Sequence, residues 1–167
     1  MDFFSQNKII SYNNPIDCIE DQIYKFDVET FRDSPNHLTL KYKGSWKNYD
    51  IIINWDEFNK VISISSYFDL DIKSRVVKDI YLLISKINEK VNLGYFHYCS
   101  QHKEIFFKYQ VSTKGLNYMT VEQIEDFLSV VIKECDRFYP IIVLFNSKKQ
   151  KAQFFIQNSL VDIYGKA

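Results

Sequence analysis

Apolar residues in this chain change their spacing several times, and each change marks an element. After Asn14-Pro15, Ile16, Ile19, Ile23 and Phe26 recur at helical spacing. Asn suits the cap of that helix, and Pro suits its first turn, where a missing N–H has no partner to lose. Asp33-Ser34-Pro35-Asn36 ends the pattern. From Leu38 to Phe68 the period falls to two. Leu38, Leu40 and Tyr42 alternate with Thr39, Lys41 and Lys43, Ile51, Ile53 and Trp55 form a second run, and Ile62, Ile64 and Phe68 a third. Turn-like stretches at 44–48 and 56–60 separate them, so the three runs predict an antiparallel meander.

Asp71 is expected to cap a long helix over about 73–91, with Val76, Ile80, Leu83, Ile84, Ile87 and Val91 on its apolar stripe. Gly94 marks its exit. Tyr95 to Cys99 and Ile105 to Val111 read as two more strands. Thr120-Val121-Glu122-Gln123 has the form of a capping box, and Met119 and Ile124 stand at the positions of a hydrophobic staple. Val121, Ile124, Leu128, Val131 and Cys135 then share one helical face. Tyr139-Pro140 is expected to interrupt or kink this helix, and a last helix is expected over about 148–158. The order α-β-β-β-α-β-β-α-α predicts a single α+β domain: a five-stranded, mainly antiparallel sheet with packed helices on one face. Residues 1–14 read as a tail and 15–167 as the domain.

Composition fits that reading. The chain has 167 residues, 46% hydrophobic and 25% charged, with four Gly and three Pro, which excludes a linker or a disordered chain. Lys+Arg and Asp+Glu both number 21. A neutral balance argues against a duplex-coating basic domain. Cys18, Cys99 and Cys135 are an odd, widely spaced set with no CxxC, expected as reduced thiols. There is no signal-peptide pattern and no apolar run of membrane-spanning length, so a cytoplasmic protein is expected.

A set of residues at the joints of this order resembles the YbjN family of small bacterial proteins. Trp46 lies between the first two expected strands and Trp55 closes the second. Asn88 comes late in the long helix, and Gly94 and Phe96 open the next strand. Phe107-Lys108 follows, with Lys where relatives carry Arg. Glu134-Cys135-Asp136-Arg137-Phe138-Tyr139-Pro140 ends the third helix, and Gly165 and Ala167 stand in the tail. The resemblance covers residues 15–167. It implies a fold similar to type III secretion chaperones and a role as a sensory transduction regulator: a non-enzymatic binder of other proteins. Each of these residues also has a structural reading, such as Gly94 permitting a tight helix-to-strand exit.

Catalytic patterns are missing from the sequence. His37, His97 and His102 form neither HxH nor HExxH. Asp69-Leu70-Asp71 lacks the further oxygen ligands of a cation loop, and there is no phosphate-binding glycine loop or nucleophile elbow. No catalytic residue, metal or cofactor is expected. An enzyme or ligand-binding domain with a site built from dispersed residues is the alternative. Lys41, Lys43 and Lys47 around Tyr42, Trp46 and Tyr49 have the composition of a nucleic-acid stacking surface. Alternation puts Tyr42 on the core side, however, so nucleic acid is not the expected partner. A membrane is not expected either, because Lys148, Lys149 and Lys151 beside Phe154 and Phe155 are too few cations on too short a helix.

Sorting the strands by parity leaves one face clearly apolar and the other mixed. The mixed face carries Tyr67, Tyr95, His97, Phe106 and Lys108. Aromatic side chains among Ser, Asn and Lys have the composition of an interface that also survives unbound. These five are the candidate partner-binding residues. The expected partner is a protein of unidentified kind, with self-association into a homodimer on the same surface.

Overall fold

The computed structural model describes residues 14–24, 28–116 and 119–147. The elements are α1 (Pro15–Ile23), β1 (Glu29–Ser34), β2 (His37–Lys43), β3 (Asn48–Asp56), β4 (Val61–Tyr67), α2 (Val77–Asn88), β5 (Tyr95–Cys99), β6 (Glu104–Ser112) and α3 (Val121–Ser147). All strands join one six-stranded sheet in the order β1-β2-β3-β4-β6-β5. Every neighbouring pair is antiparallel. The first four strands form a meander. The chain then passes through α2 and returns at the far edge as β5, and β6 fills the gap beside β4.

The sixth strand corrects the five expected from periodicity. β1 is an edge strand with no residue fully buried on either face, so its sequence, Glu29-Thr30-Phe31-Arg32-Asp33-Ser34, has no need of apolar alternation. Its existence is decided by pairing with β2, from Glu29 opposite Lys41 to Ser34 opposite His37, across a bulge.

Burial follows one parity across the sheet. Leu38, Leu40, Ile51, Ile53, Ile62, Ile64, Phe96 and Phe107 are buried, and Tyr109 is half-buried. Three helices cover this face: α1 lies against β2 and β3, α3 against β4 and β6, and α2 against β5. Of the two expected helical stripes, Val76, Ile80, Leu83, Ile87, Ile124 and Val131 are buried, while Val121 and Leu128 are half-buried.

The helix starts follow local chemistry. Asn14 Oδ1 accepts the Ile16 N–H at 2.8 Å. Thr120 and Gln123 make the reciprocal pair of the capping box, at 3.0 and 3.2 Å, with Met119 and Ile124 buried beside it. The long second helix differs from expectation. It begins with a 3-10 turn at Ser74–Val76 and becomes α-helical only at Val77. Asp71 does not cap it. Its carbonyl instead accepts the Asn146 side-chain amide at 2.8 Å, and Val91 lies beyond the helix end.

Pro140 does not end α3. Proline cannot bond the carbonyl one turn back, here that of Asp136. That carbonyl accepts the Trp46 indole N–H at 2.9 Å instead, so the helix continues to Ser147 with the group satisfied. The helix expected over 148–158, the tail motif at Gly165 and Ala167, and Phe26 lie outside the described residues.

Candidate interaction surface

The antiparallel register carries each position on the face turned away from α1, α2 and α3 to its neighbour on the next strand. One row runs Glu29, Lys41, Asp50, Tyr67, Phe106 and His97. The adjacent row runs Phe31, Thr39, Ile52, Ser65, Lys108 and Tyr95. All five sequence-derived candidates therefore meet on β4, β6 and β5. Tyr67 and Phe106 pair directly, with ring centroids 5.2 Å apart and planes at 38°. His97 flanks Phe106 from the other side, also at 5.2 Å. Lys108 sits between Ser65 and Tyr95. Tyr95 and His97 are exposed, and Tyr67, Phe106 and Lys108 are half-buried. Among the described residues, no helix lies over this face.

Phe31, 67% exposed, ends the second row on β1 and adds an aromatic side chain at the far edge of the same face. Sequence reasoning missed it because it missed the strand. Ser65, at the middle of the face between Ile52 and Lys108, is buried.

A second constellation lies at the β2–β3 turn, where the sequence had marked Trp46, Lys47 and Tyr49 but not the link to Asp136. Asp136 accepts the Ser45 N–H at 3.0 Å, the Ser45 hydroxyl at 2.7 Å and the Tyr49 hydroxyl at 2.9 Å. Lys47 donates to the Phe68 carbonyl at 3.0 Å. Burial, then the Asp136 carboxylate, raises the Tyr49 phenol pKa. Burial also pushes the Cys135 thiol up to about 12, the opposite of what a nucleophilic thiolate requires. Glu134 is raised by burial against the opposing pull of Arg137, and Arg137 donates to the Lys90 carbonyl at 3.2 Å. The Glu134–Pro140 motif thus locks α3 to a hairpin and to the turn after α2. Tyr49 is fully buried, which removes it from any stacking surface.

A groove of about 460 Å³ runs between α1, β2 and α3, floored by Ile23, Leu40 and Leu128, with Glu125 and Lys133 on its lining. The strongly perturbed groups, Tyr49 and Cys135, are not among its lining residues. Among the described residues, no three His, Cys, Asp or Glu side chains are grouped to hold a metal. No described helix is long and apolar enough to cross a membrane.

A family model, YbjN, described as "putative bacterial sensory transduction regulator", matches residues 15–142. No curated protein matches the chain. Among solved structures, the fold is similar to that titled "Crystal structure of YbjN, a putative transcription regulator from E. coli". The two chains share 12% identity with a TM-score of 0.53, over 88% of this chain and 93% of that one. At that identity the likeness concerns the fold.

Proposed function

Because the chain belongs to the YbjN family, we propose that it is a regulator that acts without catalysis, by binding another protein on the face of its sheet turned away from α1, α2 and α3. The observation that carries this reading is the contiguous patch of Tyr67, Phe106, His97, Tyr95 and Lys108 on three neighbouring strands. Aromatic side chains supply contact area at low entropic cost, and they dominate the energetics of protein interfaces. Polar neighbours such as Ser63, Gln110 and Asn54 keep the unbound face wettable. The family description supports a regulatory role, and the similar E. coli structure is itself titled "a putative transcription regulator".

The test replaces Tyr67 and Phe106 together by Ser. Both are only half-buried, so circular dichroism and the melting temperature should stay near those of the wild type. Affinity capture from native lysate, compared by mass spectrometry between the two proteins, should lose the partner. A folded double variant that captures the same proteins as wild type would place recognition elsewhere. Loss of folding would show that the face is part of the core.

A further inference from the structure

The two edges of the sheet are blunted by different means. β1 carries Glu29, Arg32 and Asp33 and a bulge between Arg32 and Ser34, both common devices against edge-to-edge pairing. The other edge, β5, reads Tyr95-Phe96-His97-Tyr98-Cys99. It has no acid, Lys, Arg or Pro, and its register with β6 is unbroken. Such an aromatic strand without acid, Lys, Arg or Pro is a template for pairing with a like strand.

We propose that Asn88 is the guard of this edge, and that it keeps β5 from pairing with β5 of a second copy. The Asn88 side chain accepts the Phe96 N–H at 2.8 Å and donates to the Phe96 carbonyl at 3.0 Å. Those are the two bonds that a residue of an added strand would make. Phe96 therefore turns its backbone groups away from β6, and alternation turns those of Tyr98 the same way. A two-fold axis through His97 sets Phe96 of one copy opposite Tyr98 of the other, and Tyr95 opposite Cys99. In that arrangement the outward groups of both strands meet as hydrogen-bonded pairs. The second copy must displace the Asn88 amide to form them. This inference concerns the β5 edge and does not rest on the proposed recognition face, with which it shares only β5 residues.

The experiment compares wild type with Asn88→Ala and with Asn88→Leu, which keeps the volume but not the polar atoms. At low concentration, both variants should exchange the Phe96 amide about tenfold faster or more, as expected for a lost hydrogen bond. From micromolar to millimolar concentration, light scattering should show an association that wild type lacks. Adding His97→Lys to Asn88→Ala sets two ammonium groups at the two-fold axis and should abolish that association, whereas adding Tyr67→Ser and Phe106→Ser, which alter the face but not the edge, should leave it. Variants that keep the wild-type oligomeric state throughout would overturn the proposal. So would an association indifferent to His97→Lys, or loss of folding in both variants, which would make Asn88 a folding determinant rather than a guard.

Discussion

The Tyr49 hydroxyl, on a fully buried ring, donates to the Asp136 carboxylate at 2.9 Å and so joins the β2–β3 hairpin to the middle of α3. The bond favours the neutral phenol, and so does burial; both raise the Tyr49 pKa above its ordinary 10.0. Cys135, one residue before Asp136, is raised by burial from 9.0 to about 12.

Alkaline stability follows with a definite sign. A group whose folded pKa lies above its unfolded value contributes stability that is fully present below the unfolded value and is lost as pH rises toward the folded one. The decline should therefore begin near pH 9, where the Cys135 thiol ionises in the unfolded chain. It should steepen above 10, where Tyr49 joins it. Cys135 alone accounts for about 1 kcal/mol per pH unit in that window. Urea unfolding from pH 7 upward should show Cys135→Ala flattening the first part of the decline and Tyr49→Phe the second. Unchanged profiles would contradict the assignment.

Trp46 is 61% exposed, yet its indole N–H satisfies the carbonyl that Pro140 leaves open on Asp136. Trp46→Phe keeps a ring and removes the donor. It should cost about 0.5–1.5 kcal/mol, the net worth of one hydrogen bond. Trp46→Phe in a Pro140→Ala background should cost less, because alanine restores the helical donor to the same carbonyl. A double-mutant cycle in urea measures that coupling.

Gly94 has φ +80°, and a Cβ there would lie 2.5 Å from Phe107 Cζ and 2.7 Å from the Lys108 carbonyl oxygen. Gly94→Ala should cost roughly 1–3 kcal/mol from backbone strain alone, with the overlap on Phe107 added. Equilibrium denaturation gives the total, and shifts of Phe96 and Phe107 ring resonances locate it.

Asn146, buried near the end of α3, accepts the Lys73 N–H at 3.0 Å and donates to the Asp71 carbonyl at 2.8 Å. Asn146→Ala leaves both backbone groups unpaired and should destabilise by about 1–3 kcal/mol. Asn146→Asp keeps the acceptor but sets a carboxylate oxygen against the Asp71 carbonyl, so its denaturation midpoint should also fall below that of the wild type.

Much of this architecture is a local property of the chain. Alternation at Leu38–Tyr42, Ile51–Trp55 and Ile62–Ile64, and the stripe through Ile80, Leu83 and Ile87, state which face each element buries, because each period matches its own backbone geometry. The caps at Asn14 and Thr120 are equally legible, since their hydrogen bonds close within a few residues. Parity likewise assigned Tyr67, Tyr95, His97, Phe106 and Lys108 to one face. Tertiary structure alone decided that β6 lies between β4 and β5, making those five neighbours, because strand order is set by pairing between distant segments. Pairing also created β1, whose exposed residues carry no pattern. Long-range bonds decided the ends of two helices: Trp46 lets α3 pass Pro140, and Asn146 takes the Asp71 carbonyl where a cap was expected. Apolar spacing records which face a segment buries, but not which distant polar group will satisfy its backbone.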